Sequence, residues 1–148
     1  MLVGRAGDAV TAAGRGDRGE FLLAAARLAA LDPDQVGAVL GAVTRSMLEE
    51  LHPDGLSGAD ARAVMAQCIA DAAAWFPDVD VNALLLVLSG ALGVFPSDEE
   101  PVPVTRLGVA QHAPLLVAHL LTATDQAFET VLHGALKQIA EAQTAEHP

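Results

Sequence analysis

The clearest pattern in the chain is a stripe of apolar residues at helical spacing after Asp32-Pro33. Apolar side chains recur there every three or four residues: Val36, Leu40, Val43, Met47 and Leu51. Aspartate before proline indicates a helix start, because the carboxylate accepts backbone N–H groups and proline fits the first helical position. The turn-forming residues 52–55 predict the end of this helix. A second stripe, which starts at Ser57 and stops at Pro77, predicts the next helix.

Residues 81–92 form the most apolar segment, in which Asn82 and Ser89 are the only polar side chains. A helix that is apolar on all sides is normally surrounded by protein, so we predict that this one is the centre of the fold. Residues 96–103 are rich in proline and acids and predict an extended crossing loop. A helix from Thr105 to about Leu121 and a last helix capped by Thr122 or Thr124 should follow. With a short helix over residues 20–31, the pattern predicts an all-α, single-domain bundle of about five to six helices.

The first 19 residues predict a flexible N-terminal arm. They contain five glycines among small and charged residues: Gly4, Gly7, Gly14, Gly16 and Gly19. Such a segment buries too little apolar surface to offset its ordering entropy. The predicted organisation is therefore a Gly/Arg-rich arm at residues 1–19 and one helical domain at residues 20–148. Arg5 and Arg15 make the arm less acidic than the domain, so it could lie on that domain or remain a solvated tail.

Composition supports the helical fold and narrows the partners. The chain is 52% hydrophobic but only 3% aromatic, and alanine is its commonest residue. Alanine has the highest helix propensity, whereas strands favour aromatic and β-branched residues. A formal net charge of -11 argues against nucleic acid or an anionic membrane as a partner. The single cysteine, Cys68, excludes an internal disulfide, and no secretory signal pattern is present, so we expect a cytoplasmic protein.

Three segments look like functional motifs, and each has a simpler interpretation. His52-Pro53-Asp54 between two helices resembles the tripeptide of J-domain co-chaperones, but Glu49 and Glu50 stand in the preceding helix, which is strongly basic in that family. Residues 55–59 approach a G-x-S-x-G nucleophile elbow, yet no strand precedes Ser57, which is better interpreted as a helix cap. Residues 78–82 begin like a calcium loop but lack its glycine and its final glutamate, so aspartate capping is the better interpretation.

The histidines are the weak candidates for a metal site. His112 and His119 are seven residues apart on one predicted helix, and Glu129 and His133 are four apart on the next. A carboxylate–histidine centre would require these two helices to face one another with their polar sides inward. The tight E-x-x-H spacing of helical metal sites is absent, so we predict no metal ion, no other cofactor and no catalytic residue.

Gly37 and Gly41 indicate a place where helices approach closely, either within the chain or between two copies of it. The acidic residues of the proline-rich segment, Asp98, Glu99 and Glu100, are a second candidate contact surface. We therefore predict a non-enzymatic helical module that binds another protein and forms a homo-oligomer, with a dimer as the simplest form. One alternative is a small-molecule carrier with an apolar pocket lined by residues 81–121. A histidine–carboxylate metal enzyme is the third and weakest hypothesis.

Overall fold

The structure is a computed structural model that describes residues 1–93 and 105–146. Its elements are seven α-helices, and the described residues contain no strand. In chain order the helices are α1 Leu2–Arg15, α2 Arg18–Ala29, α3 Pro33–Leu51, α4 Gly58–Ala72, α5 Val81–Leu92, α6 Arg106–Thr124 and α7 Phe128–Glu146. The prediction of an all-α bundle is confirmed, and the helices share one continuous apolar core.

The starts of α3, α4, α5 and α6 follow the predicted capping chemistry. Asp32 accepts the backbone N–H of Asp34 at 2.9 Å, and Pro33 occupies the first helical position of α3. Ser57 and Asp60 form a reciprocal capping box at the start of α4, each side chain accepting the other residue's backbone N–H. The side chains of Asp80 and Thr105 cap α5 and α6 by accepting backbone N–H groups of the first turn, without a reciprocal bond. Ser57 is therefore used as a helix cap, as predicted from the missing strand.

The end of α6 differs from the prediction. Thr122 and Thr124 do not cap the last helix, because both lie inside α6 and donate their hydroxyls to the carbonyls of Ala118 and Leu120. The helix ends instead at Asp125, whose φ of 52° is left-handed. Helix α7 then begins at Phe128. Aspartate tolerates the left-handed region better than most residues, which is why it can serve here in place of glycine.

The predicted flexible arm is wrong for residues 2–15, which form helix α1. Its buried side is built from small residues: Ala6, Ala9, Val10, Ala12 and Ala13. This side packs against α2 and α6. Gly7 lies 3.8 Å, measured from an ideal Cβ position, from the Phe128 ring, and Gly16 ends the helix with a left-handed φ of 65°. Two of the five glycines that suggested an arm, Gly7 and Gly16, therefore serve helix packing and helix termination.

Helix α6, rather than α5, is the central helix of the bundle. It contacts α1, α2, α3, α4 and α5, and nine of its side chains are buried. Helix α5 has the predicted bounds but lies at the periphery, with Val81 53%, Leu85 47% and Leu86 38% exposed. Among the residues with described structure, no helix combines the length and the apolar character that a membrane crossing requires.

An aromatic cluster connects α2 with the segment that follows α4. The rings of Phe21, on α2, and Trp75, after α4, meet edge to face with centroids 5.1 Å apart. The Phe76 ring lies 5.3 Å from that of Phe21 and 5.9 Å from that of Trp75, and both Phe21 and Phe76 are buried. Edge-to-face pairs of this kind add to the stabilisation from burial alone. The cluster fixes the position of Trp75, which borders the cleft described below.

Candidate functional site

The predicted interaction residues Gly37 and Gly41 line an apolar groove between α3 and α5. The groove has a volume of about 570 Å³ and is closed at its base by α6. Both walls mix small and large apolar residues: the α3 side includes Pro33, Ala38 and Leu40, and the α5 side includes Leu86, Val87, Gly90 and Ala91. Among the described residues of the lining, Asp34 is the one that is charged. We call this groove, together with the exposed residues Val81 and Leu85, the α3–α5 surface.

The two glycines of α3 have different surroundings. A Cβ added at Gly41 would lie 3.8 Å from the Cα of Ala91, so the backbone of α5 packs directly beside this glycine. A Cβ added at Gly37 would meet nothing within 4 Å, and the residue is exposed. Gly41 therefore serves the contact inside the chain, whereas Gly37 leaves open space in the groove. The other predicted contact residues, Asp98, Glu99 and Glu100, lie outside the described residues.

The exposed side of α5 is the part of this surface that sequence reasoning missed. Residues 81–93 contain no charged side chain, and Val81, Leu85 and Leu86 point away from the core although they are large and apolar. Single exposed apolar residues are ordinary, but a run of them on one uncharged helix face is typical of a contact surface. A helical wheel could not identify this side from sequence, because α5 is apolar on every side.

His112 is a structural residue rather than a metal ligand. Its Nε2 accepts the backbone N–H of Asp80 at 2.8 Å, and its Nδ1–H donates to the Gly108 carbonyl at 2.7 Å. Both ring nitrogens are thus occupied, and the side chain is buried. Burial lowers the pKa of His112 below its usual value, against smaller opposing effects of the Gly108 hydrogen bond and the Asp80 charge. The neutral ring therefore fixes the position of Asp80, the residue that caps α5.

His119 lies in a different place, paired with Asp71 of α4. Its Nδ1 is 2.7 Å from the Asp71 carboxylate, and only 11% of the histidine side chain is exposed. The pair borders a cleft of about 410 Å³ between α4, α6 and the end of α1, which Trp75 and Cys68 also line. Burial raises the pKa of the Cys68 thiol to about 12, with a further contribution from the Asp71 charge. The thiol is therefore protonated at neutral pH and is a poor nucleophile.

Glu129 and His133 lie on the exposed side of α7, as the sequence of that helix indicates. The four predicted metal candidates are not brought together: His112 bonds to Asp80, and His119 bonds to Asp71. Within residues 1–93 and 105–146, no group of three or more histidine, cysteine or acidic side chains has the arrangement of a metal site.

Comparison with known proteins does not add to this picture. No protein-family model, no curated protein and no solved structure matches the chain. The candidate sites therefore depend on the geometry described above.

Proposed function

We propose that this protein is a non-enzymatic helical interaction module that forms a homodimer through the α3–α5 surface. The observation that carries the proposal is the exposed, uncharged side of α5, where Val81, Leu85 and Leu86 lie beside an open groove. Burial of such side chains is the main driving force of association. A second copy of the chain is the partner to which we commit.

The shape of the surface supports a symmetric dimer. A twofold interface uses the same patch on both copies, so the patch must contain both a projection and the hollow that receives it. Here the leucines of α5 form the projection, and the small residues Gly37, Ala38 and Gly90 leave the hollow next to it. Two copies related by a twofold axis would each place Leu86 in the other copy's groove. Small residues also allow close helix approach.

Charge supports the same surface. With a formal net charge of -11, two copies repel one another over most relative orientations. Residues 81–93 carry no charge, and among the described lining residues of the groove only Asp34 does. Contact through these residues therefore brings few carboxylates together. Raising the ionic strength should strengthen the dimer modestly, because salt screens the remaining repulsion.

The test is sedimentation equilibrium of the full chain from about 1 µM to about 500 µM, which covers the usual range of weak to moderate dimers. Leu86→Glu is compared with Leu136→Glu, because both leucines are 38% exposed and Leu136 lies on α7 outside the surface. Leu85→Glu is compared in the same way with Leu23→Glu, at 47% and 48% exposure.

We expect the wild type and both control variants to form the same dimer. In a twofold dimer, each Leu→Glu change in the surface removes a leucine contact at two places. At about 1 kcal/mol for each partly buried leucine lost, the dissociation constant should rise at least about thirtyfold. The proposal would be refuted if the wild type stays monomeric over the whole concentration range. It would also be refuted if a control variant dimerises as weakly as the surface variant with which it is matched. Circular dichroism of each variant establishes that its fold is retained.

The other two hypotheses receive less support at this groove. A carrier with a histidine in its apolar pocket would need His112 or His119 to face the groove, but neither residue lines it. His112 is occupied by Asp80 and Gly108, and His119 borders the separate cleft. A metal enzyme would need a ligand cluster that residues 1–93 and 105–146 do not form.

A further inference from the structure

The cleft beside His119 is separate from the α3–α5 surface and has the composition of a small-molecule site. Its volume of about 410 Å³ lies in the range of ligand pockets. One part of its lining is apolar, formed by Trp75, Leu115, Ala72 and Ala118. The other part is polar, formed by Arg15, Asp71, His119 and Thr122. An apolar wall with a few convergent polar groups is the usual form of a site for an amphipathic ligand.

The His119–Asp71 pair leaves one ring nitrogen available. An ionised carboxylate can only accept hydrogen bonds, so Nδ1 of His119 keeps its proton and donates to Asp71 over 2.7 Å. No described residue forms a hydrogen bond with Nε2, the other ring nitrogen. A doubly protonated imidazole donates from both ring nitrogens. In that form the ring can donate a charge-assisted hydrogen bond from Nε2 to an acidic group.

Arg15 is the only arginine or lysine among the described residues of the lining. It lies at the end of α1, and no carboxylate of the described residues forms an ion pair with it within 4.0 Å. Thr122 also lines the cleft, but its hydroxyl already donates to the Ala118 carbonyl at 3.2 Å. The donors available to a ligand are therefore the guanidinium and the imidazole.

Trp75 forms a fixed apolar wall. The edge-to-face contact with Phe21 holds the indole on one side, and an ideal Cβ at Gly16 would be 3.4 Å from the ring. Because Gly16 has a left-handed φ of 65° and no side chain, the end of α1 can lie against the indole. A rigid aromatic wall binds an apolar ligand at a low cost in side-chain entropy.

From this geometry we infer that the cleft binds a small organic acid, whose carboxylate contacts Arg15 and His119 and whose apolar body packs on Trp75. Arg15 supplies a positive charge that offsets the ligand carboxylate. Cys68 contributes only apolar packing, since it is 1% exposed and protonated. No covalent step is involved, and the inference does not depend on dimer formation.

The experiment is isothermal titration calorimetry of the full chain with 4-phenylbutanoate and with its neutral analogue, 4-phenylbutanamide. Neither compound absorbs strongly where tryptophan is excited, so the emission of Trp75, the only tryptophan, can be followed in parallel. Arg15→Gln and His119→Gln are the test variants. Arg62→Gln and His133→Gln are their controls, because both residues are exposed and lie outside the cleft lining.

We expect the acid to bind at one site per chain, to change the Trp75 emission, and to bind at least about tenfold tighter than the amide, since a charge-assisted hydrogen bond is worth about 1.5–3 kcal/mol. Arg15→Gln and His119→Gln should each weaken binding by about tenfold or more, and the two controls should leave it within about twofold.

Three results would overturn the inference. The first is the absence of both heat and emission change at about 10 mM acid, a concentration at which even a millimolar site is mostly filled. The second is equal binding of acid and amide, and the third is equal weakening by Arg15→Gln and Arg62→Gln. Because Arg15 is exposed, its variant should fold normally and keeps the test valid even if His119→Gln is unstable. Leu86→Glu should bind the acid like the wild type, which separates this test from that of the dimer.

Discussion

Replacement of His112 by leucine tests the link between the central helix and the start of α5. Leucine fills a similar volume but cannot accept the backbone N–H of Asp80, which now donates to Nε2 at 2.8 Å. A partly buried amide without a partner costs about 1–3 kcal/mol, and loss of the bond to the Gly108 carbonyl adds about 1 kcal/mol. We expect His112→Leu to lose about 2–4 kcal/mol of unfolding free energy at pH 8.

The pH dependence of the stability difference between wild type and His112→Leu is a second, independent test. Burial lowers the pKa of His112 from the unfolded value of 6.5, so folding favours the neutral ring. The corresponding stability is fully present above pH 6.5 and is lost as the pH falls through the lower pKa of the folded state. Leucine does not titrate. The difference in stability between wild type and His112→Leu should therefore be largest at pH 8 and should narrow towards pH 5.5.

Urea unfolding followed by far-UV circular dichroism measures both effects at one fixed protein concentration, since dimer formation would make stability depend on concentration. The matched control is His133→Leu, which changes an exposed histidine on α7 and should stay within about 0.5 kcal/mol at both pH values. The reasoning would be refuted if His112→Leu lost less than about 1 kcal/mol of unfolding free energy at pH 8. It would also be refuted if the stability difference between wild type and variant were the same at pH 5.5 as at pH 8.

Two further predictions concern the cysteine and the N-terminal helix. The Cys68 thiol, 1% exposed and with a pKa raised to about 12, should react with Ellman's reagent at pH 8 only after unfolding; equal rates in native buffer and in urea would contradict its burial. Ala9→Glu should cost at least about 3 kcal/mol in urea unfolding, because Ala9 is 0% exposed, whereas Thr11→Glu on the exposed side of α1 should be nearly neutral. Equal, small effects of both variants would instead support a flexible arm.

Helix starts were the most predictable part of the fold because their determinants are local. Asp32, Ser57, Asp80 and Thr105 each bond to backbone N–H groups two or three residues away, so a short window of sequence contains the whole interaction. The end of α6 was less predictable. Thr122 and Thr124 have the chemistry of caps, but their hydroxyls bond back into the helix that precedes them.

The glycines of residues 1–19 conceal helix α1, because they suggest flexibility although the apolar residues between them have helical spacing. Ala6, Ala9, Val10 and Ala13 recur at helical intervals, and they are small enough to pack closely against α6. A face of alanines buries less area than a face of leucines, so hydropathy alone gives it a weak signal. Its partner is distant in sequence, and the packing that stabilises it cannot be seen in a local window.

The histidines illustrate the limit for functional sites. His119 and Asp71 are 48 residues apart, and Asp80 is 32 residues before His112. No spacing pattern connects such pairs, because the connection is made by the packing of α4 and α5 on α6. The sequence could indicate which residues carry useful chemistry, but it could not indicate which of them share a site.

The position of α5 is the most informative departure from expectation. An all-apolar helix can satisfy its hydrophobicity inside one chain or between two chains, and hydropathy does not distinguish these cases. In this bundle the longer α6 occupies the centre and contacts five other helices, so the shorter α5 is left with one side in solvent. A side that only faced water could carry charge at no cost in packing, as the exposed sides of α3 and α7 do with Glu49 and Lys137. We therefore interpret the uncharged side of α5 as a surface for a partner. The same feature that puts α5 at the periphery, contrary to the prediction, supports the proposed dimer.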